Sequence, residues 1–209
     1  MKNMDIKPFQ NATKPFKNPK DEYTYIRYLE QKDKRLFIYY TIARAGGFRC
    51  NEIRTMTVGE LRAHLKNGEF RIYQSKVDEY RVVPIVSEKT IQILEEYIKD
   101  KYDNEYLIPS RQTKEGKLQP LSYRQLQKLL KKYGKELGFD RVGTHTPRKS
   151  YGHHNFKSNL NVGKEYAMKE LAESLGQKSV TAAARYADVY EDVQRARVES
   201  TKNPIDLYY

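Results

Sequence analysis

The chain has 209 residues, with 39 Lys and Arg against 27 Asp and Glu and a formal net charge of +12, a length that accommodates one domain with a substantial core and hardly two. Its single cysteine, Cys50, excludes internal disulfides and any cysteine-rich metal site. The apolar stretches are too short to span a bilayer, and the start, MKNMDIKPFQ, lacks the apolar core of a signal peptide, so a cytoplasmic location is expected.

Residues 1–20 carry Pro8, Pro15 and Pro19 among Lys and Asn with no apolar period, and read as a flexible basic arm or linker. From Asp21 the pattern is helical: Tyr25, Tyr28 and Leu29 lead into Leu36, Tyr39, Tyr40 and Ala43, until Gly46 and Gly47 break the run. A short helix is expected over residues 49–56. The period then changes. Phe70, Ile72 and Gln74 alternate with Arg71, Tyr73 and Ser75, and residues 80–86 read as a second strand, with 76–79 as the turn and Pro84 near a strand end. Residues 57–63 read as a third strand.

Ser87 is a plausible N-cap for a helix whose inner face carries Ile91, Leu94, Tyr97 and Ile98. Ser122 and Gln125 form a capping box ahead of Leu126, Leu129, Leu130, Tyr133 and Leu137. Thr146 and Pro147 suit the N-cap and first position of another helix. Met168, Leu171, Ala172 and Leu175 mark the next, which Gly176 stops, and residues 179–190 form an Ala-rich one. A weak helical stripe at Val189, Val193 and Ala196 continues into the tail, 191–209, which either docks on a neighbouring protomer or packs on its own domain. The expected fold is mostly α with a small antiparallel β-sheet, an α+β domain over residues 21–190.

The charge excess argues for a polyanionic partner, with nucleic acid ahead of an anionic membrane. No basic amphipathic helix with an aromatic face stands out, and the chain has no Trp.

Three local signals suggest chemistry. In Gly46-Gly-Phe-Arg-Cys-Asn-Glu52, Arg49 follows a tight turn at the start of a helix, and its planar fork of donors matches phosphate oxygens. In Thr144-His-Thr-Pro-Arg148, Arg148 sits in a first helical turn, where backbone N–H groups already favour an anion, and His145 lies three residues before it. In Leu175-Gly-Gln177 a turn leads into a helix that carries Tyr186. Each segment alone would ordinarily be structural.

Together, their order and spacing resemble the tyrosine recombinase (phage integrase) family. Arg49 and Glu52 fall where that family has Gly-Leu-Arg-x-x-Glu, with Phe48 for Leu. His145 and Arg148 match its His-x-x-Arg box, Leu175-Gly-Gln177 its Leu-Gly-His box, Tyr186 its nucleophile, and Lys76 the lysine of its β-hairpin. The resemblance covers residues 21–190 and implies a recombinase catalytic domain acting on double-stranded DNA, with self-association on that DNA. It also implies an N-terminal core-binding domain elsewhere in such proteins, whose linker the Pro- and Lys-containing start is similar to.

The implied chemistry assigns each residue a role. Arg49 and Arg148 clamp the scissile phosphate, Tyr186 attacks it to form a 3′-phosphotyrosyl link, Lys76 protonates the leaving 5′-oxygen, and His145 assists as acid/base or hydrogen-bond donor. No cofactor or metal is called for, in agreement with the lack of a carboxylate cluster or His/Cys ligand set in the sequence. Tyr190, four residues on, is the rival nucleophile. A DNA-binding protein that keeps the fold without strand exchange, and a type IB topoisomerase, are the competing readings.

Gln177 departs from the family's His; its amide can donate a hydrogen bond to a phosphate oxygen but cannot carry a positive charge. Gln177→His is therefore expected to preserve or raise the rate of DNA cleavage in a single-turnover assay. A severe loss would assign Gln177 a different role.

Overall fold

The computed structural model describes residues 12–74, 78–114 and 117–190. Lys76 and the tail from residue 191, including Val193 and Ala196, lie outside them.

Helix α1 (Pro19–Lys32) starts where the Asn18 side chain accepts from the backbone N–H of Lys20 and Pro19 occupies the first turn. The expected continuous run is split in two at Asp33, whose extended backbone ends α1 and whose carboxylate accepts from the N–H of Arg35 to cap α2 (Lys34–Gly46). Helix α2 is apolar on nearly every side, with Leu36, Phe37, Ile38, Tyr39, Tyr40, Ile42 and Ala43 all buried, and forms the centre of the larger core. Gly47 ends it in the left-handed region (φ 61°), where a Cβ would also strike the Tyr151 ring, so only glycine turns the chain here.

After α3 (Cys50–Arg54), residues 57–63 are not the expected strand. They begin helix α4 (Val58–Asn67), because Thr57 and Glu60 form a reciprocal capping box in which the Thr57 hydroxyl accepts from the Glu60 N–H and the Glu60 carboxylate accepts from the Thr57 N–H. Strands β1 (Glu69–Gln74) and β2 (Glu79–Pro84) then pair antiparallel from Glu69–Pro84 to Gln74–Glu79. Phe70, Ile72 and Gln74 face inward as the alternation predicts, and Pro84 is the last strand residue.

Helix α5 (Glu88–Ile98) is capped by Ser87. A second hairpin, β3 (Pro109–Lys114) and β4 (Lys117–Pro120), follows; its largely polar sequence carries no apolar alternation to announce it. Helix α6 (Tyr123–Glu136), capped by Ser122, completes the larger core.

Helices α7 (Thr146–Asn159), α8 (Lys164–Ser174) and α9 (Val180–Tyr186) enclose a smaller core of Phe156, Leu171, Leu175, Ala183, Ala184 and Ala187. Gly152 of α7 lets Leu171, Leu175 and Ala187 come close. His145, not Thr146, is the residue preceding α7; Thr146 instead accepts from the N–H of Gly143. Helix α9 stops at Tyr186 rather than at 190, because Asp188 takes a left-handed φ of 58° that a continuing helix does not permit.

Residues 12–18 are not free of the domain: Phe16 is 7% exposed, packs against the rings of Tyr25 and Phe139, and donates its N–H to Ser150 Oγ at 2.8 Å. A lone aromatic among Pro, Lys and Asn gave no periodic signal, but it fills a gap in the larger core. Phe16→Ala is expected to lower unfolding free energy by about 3 kcal/mol in chemical denaturation, the cost of a large aromatic truncation. A free arm would show no change.

Candidate active site

Five of the six expected site residues converge. Arg49, His145, Arg148, Gln177 and Tyr186 line one cleft of about 600 Å³, together with Gly176, Lys178, Ser179 and Ala182. The sixth, Lys76, lies outside the described residues.

Arg49 precedes α3, one residue after the Gly46–Gly47 turn. Its N–H donates to Glu52 Oε2 at 2.6 Å and its Nη1 to Glu52 Oε1 at 2.9 Å, so one carboxylate fixes both backbone and guanidinium. Its Nη2 points across the cleft toward the carbonyl of Gly176, 3.4 Å away.

Arg148, in the first turn of α7, is 2% exposed. Its Nη1 donates to the carbonyl of Gly47 and its Nη2 to that of Leu175. The turn that ends α2 and the turn that ends α8 are thus both fastened to one guanidinium. With five N–H donors in a planar fork, Arg148 keeps others for a ligand.

Tyr186, the last residue of α9, places its hydroxyl 3.1 Å from His145 Nδ1. The Arg148 guanidinium lies 5.7 Å from its ring centroid. Tyr190 does not line this cleft among its described residues; its ring sits 4.7 Å from the Arg185 guanidinium. Because α9 has ended by then, Tyr190 does not share the helix face of Tyr186.

Arg49, Arg148 and Lys178 give the cleft a cationic lining. Burial, and then the neighbouring Arg49 and Arg81 charges, bring the Arg148 guanidinium down to about 10. Burial pushes the Tyr186 hydroxyl up to about 12 against the opposing pull of Arg148 and Arg49. Burial lowers His145 below its ordinary range, and the charges of Lys149 and Arg148 lower it further. His145 is therefore neutral near pH 7, and in the tautomer that carries its proton on Nε2 the Nδ1 accepts from the Tyr186 hydroxyl. Gln177 Oε1 is buried without a hydrogen-bond partner, while its backbone N–H is committed to the carbonyl of Ala172.

Sequence reasoning missed Arg81. From β2 it donates to the carbonyls of Gly46 and Gly47 and stacks over the Phe48 ring at 5.2 Å, bracing the turn before Arg49. Period-two alternation could have found it, since Arg81 shares the inner side of β2 with Val83.

The model of the phage integrase family matches residues 19–192. The Bacillus subtilis (strain 168) protein "Probable integrase/recombinase YoeC" is 27% identical over 170 residues, 81% of this chain and 86% of that protein. Among solved structures, XerA recombinase aligns with a TM-score of 0.65 at 16% identity over 95% of this chain and 67% of its own. XerH site-specific recombinase bound to its difH substrate gives 0.60 at 18% identity over 89% of this chain and 53% of its own. A lambda integrase dimer bound to a core site gives 0.60 at 17% identity over 88% and 62%.

His145, His153 and His154 are all held below the ordinary histidine value, with burial the first cause in each. As pH falls through about 6.5 the unfolded chain takes up protons that the folded chain refuses, so stability declines. The thermal unfolding midpoint is expected to drop by several degrees between pH 7 and pH 5. A midpoint that holds or rises over that interval would contradict the burial of these imidazoles.

Proposed function

This chain belongs to the phage integrase family, and we propose that it cleaves and rejoins DNA strands through a covalent 3′-phosphotyrosyl link to Tyr186. One observation carries the assignment of the nucleophile. The Tyr186 hydroxyl lies 3.1 Å from the Nδ1 of a neutral His145, in a cleft that two arginine forks also line.

In this reading the scissile phosphate enters between Arg49 and Arg148. Their remaining N–H donors, with the Gln177 amide, stabilise the charge that builds on its non-bridging oxygens. The Tyr186 oxygen attacks phosphorus while its proton passes to His145 Nδ1. The bond from phosphorus to the 5′-oxygen breaks, and Lys76 supplies the proton that the leaving oxygen takes up. Rejoining is the reverse: a 5′-hydroxyl attacks the phosphotyrosyl linkage and releases Tyr186. The phosphodiester energy is conserved in that link, so the reaction needs no external energy source.

The net charge of +12 supports double-stranded DNA as the partner. Each Tyr186 can hold only one strand. Exchange between two duplexes therefore calls for at least two protomers, and self-association on DNA is part of the proposal. Cytoplasmic action on DNA completes it.

Incubation with nicked suicide duplexes or cruciform DNA, followed by denaturing electrophoresis, tests the assignment. Wild type is expected to yield a denaturant-resistant protein–DNA adduct that Tyr186→Phe abolishes, with DNA binding retained. An adduct that survives in Tyr186→Phe would move the nucleophile to Tyr190 or another tyrosine. DNA binding without any adduct would favour a non-catalytic DNA-binding protein on the same fold.

A further inference from the structure

Lys149 follows Arg148 on α7 and has no part in the chemistry assigned above, yet it lies against the nucleophile. Its ammonium is 5.3 Å from the centroid of the Tyr186 ring and donates to the carbonyl of Thr13 at 2.7 Å. Thr13 belongs to the segment 12–18 that the larger core anchors through Phe16. The same segment is fastened on both sides of the site. The Lys14 N–H donates to the carbonyl of Arg141 at 2.9 Å, ahead of α7, and Arg141 Nε donates back to the carbonyl of Ala12 at 3.2 Å. Lys17 pairs with Asp188 at 3.0 Å, two residues beyond Tyr186.

We propose that Lys149 is a positioning residue for Tyr186: the Thr13 carbonyl holds its ammonium against the ring, where it fixes the ring's orientation and stabilises the negative charge that attack builds on the phenol. This rests on Tyr186 being the nucleophile.

The placement is electrostatically costly for a lysine with no task. Burial lowers its proton affinity, as do Arg141 and Lys14, and only Asp188 opposes them. A cation over a neutral phenol ring gains modestly, and it gains more as the ring becomes anionic, because phenolate charge spreads into the ring. The interaction is therefore stronger in the transition state than in the ground state, the condition under which a contact accelerates a reaction. Arg49 before α3, Glu52 on it, His145 before α7 and Arg148 on it also act on Tyr186 or its proton partner. Lys149 thus adds to an existing field and does not create it.

The test uses the full chain and the nicked suicide duplex, comparing wild type, Lys149→Met and Lys149→Arg. Lys149→Met is expected to slow adduct formation about tenfold, with DNA affinity within about twofold of wild type. Its pH–rate profile should move to higher pH, since loss of a nearby positive charge raises the proton affinity of His145 and of the phenol alike. Lys149→Arg should recover most of the rate and restore the profile. Wild-type rate and profile in Lys149→Met would overturn the proposal. So would equal losses in both variants with an unshifted profile, the mark of a packing role.

If wild type itself forms no adduct dependent on Tyr186, the assigned nucleophile fails first. The Lys149 contact is then read without DNA at neutral pH, from the ring-current shift of the Lys149 ε-methylene protons in wild type and Tyr186→Leu. An upfield shift that Tyr186→Leu removes upholds the contact with the ring, and a shift absent from wild type or kept in Tyr186→Leu overturns it.

Discussion

The buried guanidinium of Arg148 is the interaction on which the rest of the structure depends. A charge that is 2% exposed costs several kcal/mol to desolvate unless its donors are met. Here the carbonyl of Gly47 closes the larger core's central helix, and the carbonyl of Leu175 closes α8 of the smaller core. Each helix end leaves backbone oxygens without intrahelical partners. One planar fork satisfies two such ends at once. The two cores are thereby joined beside the cleft that Arg49, His145, Gln177 and Tyr186 line.

From that joint the other positions follow. The Gly47 turn leads through buried Phe48 to Arg49, and Arg81 braces the same turn from β2. The Leu175 turn leads through Gly176 to Gln177 and then into α9, whose last residue is Tyr186. Two arginine forks and a tyrosine hydroxyl are brought together with Glu52 as the carboxylate bound to Arg49. The assembly holds positive charge in a partly desolvated cleft, and a phosphate entering it would replace repulsion between guanidiniums with paired hydrogen bonds. Electrostatic stabilisation of this kind is arranged during folding, so it needs no reorganisation when the reaction occurs.

The segment 12–18 extends the same logic. It is held by Phe16 in the larger core and by polar contacts to Lys149 and Ser150 on α7 and to Asp188 just beyond α9. Individually the exposed pair between Lys17 and Asp188 adds little. The apolar anchor supplies the stability, and the polar contacts set the direction in which the segment and its neighbours lie.

Local periodicity and turn chemistry were legible in the sequence. The alternation of Phe70, Ile72 and Gln74 specified β1 and its inner face, Ser87 and Ser122 marked two helix starts, and Gly47 and Gly176 marked two ends. Residues 57–63 run into a helix, not a strand, because Thr57 and Glu60 close a capping box that was itself visible in the sequence. The β3–β4 hairpin escaped because its residues carry no apolar period to read. Site residues were legible as types at spacings: a Gly-Gly-Phe-Arg turn, a His-x-x-Arg helix start, a tyrosine after a Gly turn. Only tertiary structure decided that Arg148 is fully buried on two carbonyls, that Tyr186 and not Tyr190 reaches His145, and that Arg81, Phe16 and Lys149 belong to the same neighbourhood. The physical reason is range. Side-chain pattern governs the backbone over a few residues, whereas each of these contacts joins residues from 27 to 136 positions apart. Such contacts exist only once two cores have packed and a buried charge has found its partners.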